Sequence, residues 1–411
     1  MTAPPATGSA PTADALHRIR VRTLWVLSTG QILGGIAFGA TASLGAVLAS
    51  RISGDDSLSG LALALVTLGT AALAVPLARL AQRSGRRWAL SIGMMIALAG
   101  VVVVVPAAAL RSFPLLLLGF ALIGAGSTAN LQTRFAAADL ATDSSRGRDL
   151  SVVVWATTIG AVAGPNLVGP GEALGQLVGM PSLTGPYLFT IAAQLLAIAL
   201  YLVALRPDPL LLAQHLVRAE TVDATRVARE DRPRLARYAI ITIAAAHGVM
   251  VSVMAMTPVH LVHHGESLNV VGIAISLHVA GMYGLSPVFG VLADRLGRIT
   301  TILIGQVLLI AALLTASFGQ HSTSAVTIGL ALLGLGWSAS TVSASALLTE
   351  ASSESHRTRR QGRSDLAMNL VAALGAIGAG VLLGGLGYGG LALCGLVIVA
   401  LVVVLTPFAR R

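Results

Sequence analysis

The chain has 411 residues, of which 55% are apolar and only 11% charged, with a mean hydropathy of +0.82. That makeup excludes an ordinary soluble domain and points to a membrane protein. The net charge of +10 rests on arginine alone, because the sequence contains no lysine, and that absence excludes both a Walker A nucleotide loop and a retinal Schiff base.

Residues 1–22, containing "APPATGSAPTADA", are expected to form a disordered cytoplasmic tail. The "RIRVR" ahead of an apolar run also fits a signal peptide, but the run is too long and further runs follow it. Crossing a hydrocarbon core takes about 20 apolar residues as a helix. The runs here are too long and too evenly apolar for barrel strands. Six of them lie at 24–49, 58–78, 88–110, 113–137, 149–171 and 186–206. A mixed-charge stretch at 207–236 reads as a cytoplasmic linker, and six more runs follow at 237–262, 269–291, 299–319, 323–348, 365–386 and 388–407. The expected fold is therefore an all-α membrane protein of twelve transmembrane helices, in six-helix bundles at 23–206 and 237–411. With both termini in the cytoplasm, only Arg51 and Arg111 of the 27 basic residues fall outside, as the positive-inside rule requires. The charge then marks the inner face of the plasma membrane, and no basic soluble domain is present to bind nucleic acid. Cys394, the single cysteine, excludes an internal disulfide and reads as a packing residue.

Features recur about half a chain apart. "ALIGAG" at 121–126 matches "ALLGLG" at 331–336, Asp139 matches Glu350, "RGRDL" at 146–150 matches "QGRSDL" at 361–366, and Gly85 and Arg86 match Gly297 and Arg298. Four correspondences in one order suggest two repeated halves of a transporter fold. Each half carries a charged turn, "ARLAQRSGR" at 78–86 and "GVLADRLGR" at 290–298. Gly290 suits a close helix approach and Gly297 a tight turn. Asp294 and Arg295 are expected at the inner interface, with Asp139 and Glu350 as the nearest acids of the repeat.

"GVLADRLGR" matches in full the G-x-L-A-D-R-x-G-R signature of the major facilitator superfamily, and the resemblance extends over essentially the whole chain. It implies a secondary transporter that works by alternating access, with the turns of Arg83, Gly85, Arg86, Gly290, Asp294, Arg295, Gly297 and Arg298 latching the halves on one side. In the first copy Ala78 replaces the leading glycine and Gln82 the aspartate, so its latch is expected to be weaker. "GAVAGPNLVGP", with Gly160, Gly164, Pro165 and Gly169, is similar to the family's antiporter segment, and this implies export by exchange. A kinked, close-packed helix explains the same residues.

A proton gradient is the expected power source. All 17 acidic residues fall in loops or close to span ends, which leaves His247 and His278 as the groups deep in the spans that titrate near neutrality. Either one also fits a neutral histidine bonded between helices. The resemblance places the first, fourth, seventh and tenth spans around a central cavity. Gln31, Asn130, Arg134, Met250, Met254, Trp337 and Thr341 are the candidate contacts there, with Trp155, Asn166 and Asn369 on neighbouring spans. Arg134 also fits a snorkelling side chain paired with Asp139. The sparsely charged inventory favours a small amphipathic or lipophilic solute, taken with protons as the partners of a monomer in the lipid bilayer. No cofactor is implied.

His247, Met250 and Met254 at helical spacing, with His260, His263, His264 and Glu266 beyond, raise soft-metal transport, but their spacing matches no closed metal site. A membrane enzyme would need a nucleophile or metal constellation, and neither H-E-x-x-H nor G-x-S-x-G occurs. A non-transporting scaffold and a proton-coupled importer remain as alternatives.

Overall fold

The computed structural model describes residues 12–54, 58, 61–142, 144–222, 231–266 and 268–410, together with their helices. The first helix, α1 (Ala13–Ser53), starts inside the stretch expected as tail, because Thr12 caps it by accepting from the Ala15 amide at 3.3 Å. The chain continues through α2 (Leu61–Ser84), α3 (Arg86–Ala109), α4 (Phe113–Asp139), α5 (Arg146–Asn166), α6 (Val168–Leu177), α7 (Tyr187–Ala204) and α8 (Pro209–Val222). It then forms α9 (Pro233–His263), α10 (Leu268–Tyr283), α11 (Ser286–Leu296), α12 (Arg298–Phe318), α13 (Thr323–Glu350) and α14 (Glu354–Arg410). The protein is all-α. Among the described residues nine segments are long and apolar enough to cross a membrane.

Further boundaries differ from expectation, most of them for a local reason. The fifth run breaks at Leu167 into α5 and α6, where Gly164, Pro165, Gly169 and Pro170 crowd the sequence and weaken the helical ladder. The eighth breaks at Gly284 and Leu285, just ahead of Pro287, into α10 and α11. The last two runs meet without a loop, because Gly387 alone, at φ 70°, redirects the helix. Contacts show that the chain turns back there. Met368 and Val402 both pack with Tyr238 near the start of α9, whereas Tyr388 bonds Thr257 near its end. The first arm of α14 begins at Glu354, eleven residues ahead of the expected 365.

Packing groups α1–α7 together and α9–α14 together. The first group has cores around Leu27, Leu90, Met94 and Tyr201, and around Val66, Val101, Phe120 and Tyr187. The second is centred on Val249, Leu309, Leu330 and Trp337. Large aliphatic side chains such as Val203, Val307, Val397 and Val404 stay exposed around the periphery. Apolar side chains exposed in this way are stable against lipid tails and costly against water. Both charged turns, the start of α5 and the start of α14 lie at one end of the molecule, called here the motif end.

Candidate functional site

At the motif end the second turn docks onto α5. Arg146–Asn166 begins with amides that have no partner inside the helix, and Asp294 of α11 supplies one: its carboxylate accepts from Gly147 N at 2.8 Å and Arg148 N at 2.9 Å. A carboxylate at a helix N-terminus also gains from the helix dipole. Arg298 holds the same carboxylate and reaches Glu350 at 3.4 Å, so one guanidinium ties α12 to α11 and α13. The fit requires bare glycine. A Cβ on Gly290 would fall 2.5 Å from the Gly147 carbonyl oxygen and would also strike Ser151 Oγ. Gly297 reverses the chain between α11 and α12 at φ 93°. Arg295 is exposed.

The first turn makes a related contact with α14. Gly85 turns the chain at φ 89°, and the Gln82 amide donates to the Ser355 carbonyl at 3.0 Å. A neutral amide bonding a carbonyl gains nothing from a helix N-terminus, so this side relies on Arg86. That buried guanidinium bonds Asp139 at 2.8 and 3.2 Å and the Gln361 side chain at 2.7 Å, linking α3, α4 and α14. A Cβ on Gly362 would strike Ala78, the residue in the place of the signature's first glycine. Arg83 is exposed.

Between the two turns lies a contact that sequence reasoning missed. Arg134 Nη2 donates to Asp365 Oδ1 at 2.5 Å, and both side chains are buried. The expected pairing of Arg134 with Asp139 is thus corrected, because Arg86 already occupies that carboxylate. The expectation that every acid lies in a loop or near a span end is also corrected: α14 starts early, which carries Asp365 about three turns into the helix and away from water. The "GRSDL" repeat match was the available signal. Its counterpart Asp149 pairs with Arg20 of α1 at 2.6 Å, so both copies of the motif hold a buried acid on an arginine.

The candidate cavity residues divide into several places. His247 Nδ1 accepts from the Trp337 indole at 3.0 Å, and Tyr283 meets the same indole edge-on, 5.8 Å between ring centres. The Arg134 guanidinium acts electrostatically on both His247 and Tyr283, which puts these two and the Trp337 between them near the Arg134–Asp365 pair. Met250 and Met254 pack in the Trp337 core, Thr341 is buried on α13, and Asn369 donates to the Asp365 carbonyl at 2.8 Å. In the first group, Gln31 bridges Thr157 at 2.8 Å and Thr133 at 2.6 Å. Asn130 lines a small cleft with Gly34, Phe38, Met94, Ser127 and Gln194. Trp155 and Asn166 are exposed.

His278 lies away from this centre. Its Nδ1 faces the Leu330 carbonyl at 2.8 Å between α10 and α13. In the antiporter-like segment Gly160 packs against α1, where a Cβ would fall 2.5 Å from the Ile32 carbonyl. Gly164 is buried, Gly169 has open space around it, and the Pro165 side chain lies outside the described residues. At the far end His260 stacks on Tyr388, 4.2 Å between ring centres, and meets the Gln320 carbonyl at 2.7 Å; His263 and His264 are exposed, and Glu266 bonds Thr323.

Comparison with known proteins agrees with this architecture. The Major Facilitator Superfamily model matches residues 27–269 and 238–411. Over 370 residues the chain is 39% identical to the uncharacterized MFS-type transporter YdeG of Bacillus subtilis strain 168, covering 89% of this chain and 86% of that protein. It is 29% identical to the riboflavin transporter RfnT of Brucella anthropi, covering 88% and 89% of the two chains. The crystal structure of the human organic anion transporter MFSD10 superposes with a TM-score of 0.77 at 16% identity, over 94% of this chain and 99% of that one, a likeness of fold. With a signature turn matched in full, an all-helical bundle to carry it and a family model spanning nearly the whole length, the chain belongs to the major facilitator superfamily of transporters.

Proposed function

We propose that the protein is a proton-coupled secondary transporter of a small amphipathic solute, and that α1–α7 and α9–α14 are its two rocking halves, joined by the segment 207–236. The observation that carries this reading is the set of polar contacts between the groups at the motif end: Arg134 with Asp365 and Arg86 with Gln361, both buried, and the part-buried Asp294 with the start of α5. Contacts of this kind hold a defined closed state, yet they break as discrete bonds when the halves tilt, which alternating access requires. The arginine asymmetry assigns the motif end to the cytoplasm, with both termini there. The state described is then closed inward. The gating set is Arg83, Gly85, Arg86, Asp139, Gly290, Asp294, Arg295, Gly297, Arg298 and Glu350.

Two readings of direction have separate support. The glycines of α5 and α6 favour export by exchange. Uptake together with protons is favoured by Asp365, a buried acid whose ion-pair partner, Arg134, belongs to the other half. The relative named as a riboflavin transporter makes ring compounds of that kind the first solutes to try.

Purified protein in sealed vesicles, given a pH gradient of either sign and then a protonophore, separates these readings. Solute movement that follows the sign of the gradient and stops with the protonophore is the expected result. Flux indifferent to both treatments, or no flux for any of a panel of riboflavin and amphipathic dyes, would remove the proposal. His247→Gln with His278→Gln is expected to keep the coupling if Asp365 carries the proton, and to abolish it if a histidine does.

A further inference from the structure

The Arg134–Asp365 pair is incomplete on both sides. Arg134 Nε and Asp365 Oδ2 have no hydrogen-bond partner although both atoms are buried, and the two side chains are only 5% and 0% exposed. A guanidinium offers two N–H edges that each match a carboxylate, and Asp365 engages Arg134 through a single oxygen. The surroundings are apolar and flat. The Phe135 ring lies 4.8 Å from the guanidinium carbon, the Met368 sulfur 4.0 Å from Nη2, and the Tyr283 and His247 rings both lean on Trp337 nearby.

Resting on the proton-coupled reading above, we propose that Arg134 binds the acid group of an amphipathic monoanion, such as an aryl carboxylate, and that Asp365 takes up one proton as the anion binds. The reason is charge balance. One buried cation faces one buried anion, and a second carboxylate would leave an uncompensated negative charge in a low-dielectric interior, a penalty far larger than that of protonating one of the two. Asp365 Oδ2 is the unoccupied position for that proton.

Neighbouring groups do not supply the missing charge. Arg86 of α3 acts on Asp365 but is bonded to Asp139 of α4, which also feels Arg357 of α14. Arg357 is held by Glu354, and Glu350 of α13 by Arg298 of α12. On α9 His247 is engaged by Trp337, α10 contributes the Tyr283 hydroxyl, and α2 offers the neutral Gln82, with Arg79 and Arg83 exposed. Proton and anion therefore occupy the carrier together, and an inward proton gradient drives uptake.

The test is calorimetric titration of the full-length protein in detergent with naphthoate, and with naphthamide as its neutral match, in two buffers of different ionisation enthalpy near neutral pH. Naphthoate is expected to bind at least about tenfold more tightly than the amide, with about one proton taken up per anion. Asp365→Asn should keep naphthoate binding and lose the proton uptake. Arg134→Gln strands a buried acid and risks the fold, so Arg134→Gln combined with Asp365→Asn is the informative variant, and it should lose the preference for the anion. Equal binding of acid and amide, no proton uptake by the native protein, or uptake that persists in Asp365→Asn overturns the inference. Proton-driven flux without naphthoate-linked proton uptake ends this inference and spares the proposed function, whereas the reverse pattern ends the proposed function alone.

Discussion

Arg86 is fully buried and makes three hydrogen bonds to side chains on two other helices, two of them to Asp139. Removing one member of such a pair leaves the other as an unpaired buried charge, at a cost of about 3–5 kcal/mol. Arg86→Ala is therefore expected to lower the unfolding temperature in detergent sharply, and Arg86→Ala with Asp139→Ala to recover most of the loss. A double variant no better than the single one would show that the pair does not act as a unit. Gly290 is sensitive for a steric reason. Its neighbours are a backbone carbonyl and a bonded serine, so Gly290→Val must push α11 from α5 at about 1–3 kcal/mol. The expected outcome is faster labelling of a cysteine replacing Ser151, whose hydroxyl faces Gly290, in a Cys394→Ser background, and unchanged labelling would contradict the close approach.

Whole elements are tied by a few outlying groups. The start of α9 is anchored to α14 through Asp231, whose carboxylate accepts from Arg360 at 2.7 Å twice and from Ser353 N at 2.9 Å. The Arg360 hydrogen bond, helped by the Ser353 amide, lowers its pKa from 3.8 to about 2. Because the folded value is depressed, the stabilisation is fully present above 3.8 and disappears as the pH falls through about 2. Asp231→Asn should accordingly be less stable than the native protein by a constant margin at neutral pH, with the two unfolding curves converging over that acidic window. A margin that persists at the acid limit would place the effect elsewhere. Other element boundaries were set by single residues. Gly387 replaces a loop, and glycines and prolines split the fifth and eighth runs, so hydropathy located the runs while backbone chemistry decided where each helix stopped.

Across the molecule, the two helix groups meet through matched small residues at the motif end, Gly147 with Gly290 and Gly362 with Ala78. Farther along α14, glycines such as Gly384 have open space where a side chain would stand. If the groups rock, that stretch closes when the motif end opens. Gly384→Leu is then expected to leave the unfolding temperature nearly unchanged, because nothing is displaced in this state, while slowing solute flux about tenfold or more through a state costing roughly 1.4 kcal/mol extra to reach. Native flux in this variant would argue against closure at that position.

Much of this protein was legible in the sequence. Apolar runs separated by charged turns dictate helices in lipid, since no other open structure satisfies its backbone there. The turn at 290–298 shows the family in nine residues, and the half-chain repeat pointed to paired turns at one end. What the sequence left open was partnership. Arg134 and Asp365 are 231 residues apart, and nothing local announces that they meet. Asp294 was expected at the inner interface, but which helix end it would meet was not legible, and the structure puts it on the start of α5 in the other group. Hydropathy is a property of each segment and can be read one segment at a time, whereas a buried charge takes whichever partner the packing of distant helices delivers, and only the tertiary structure decides that.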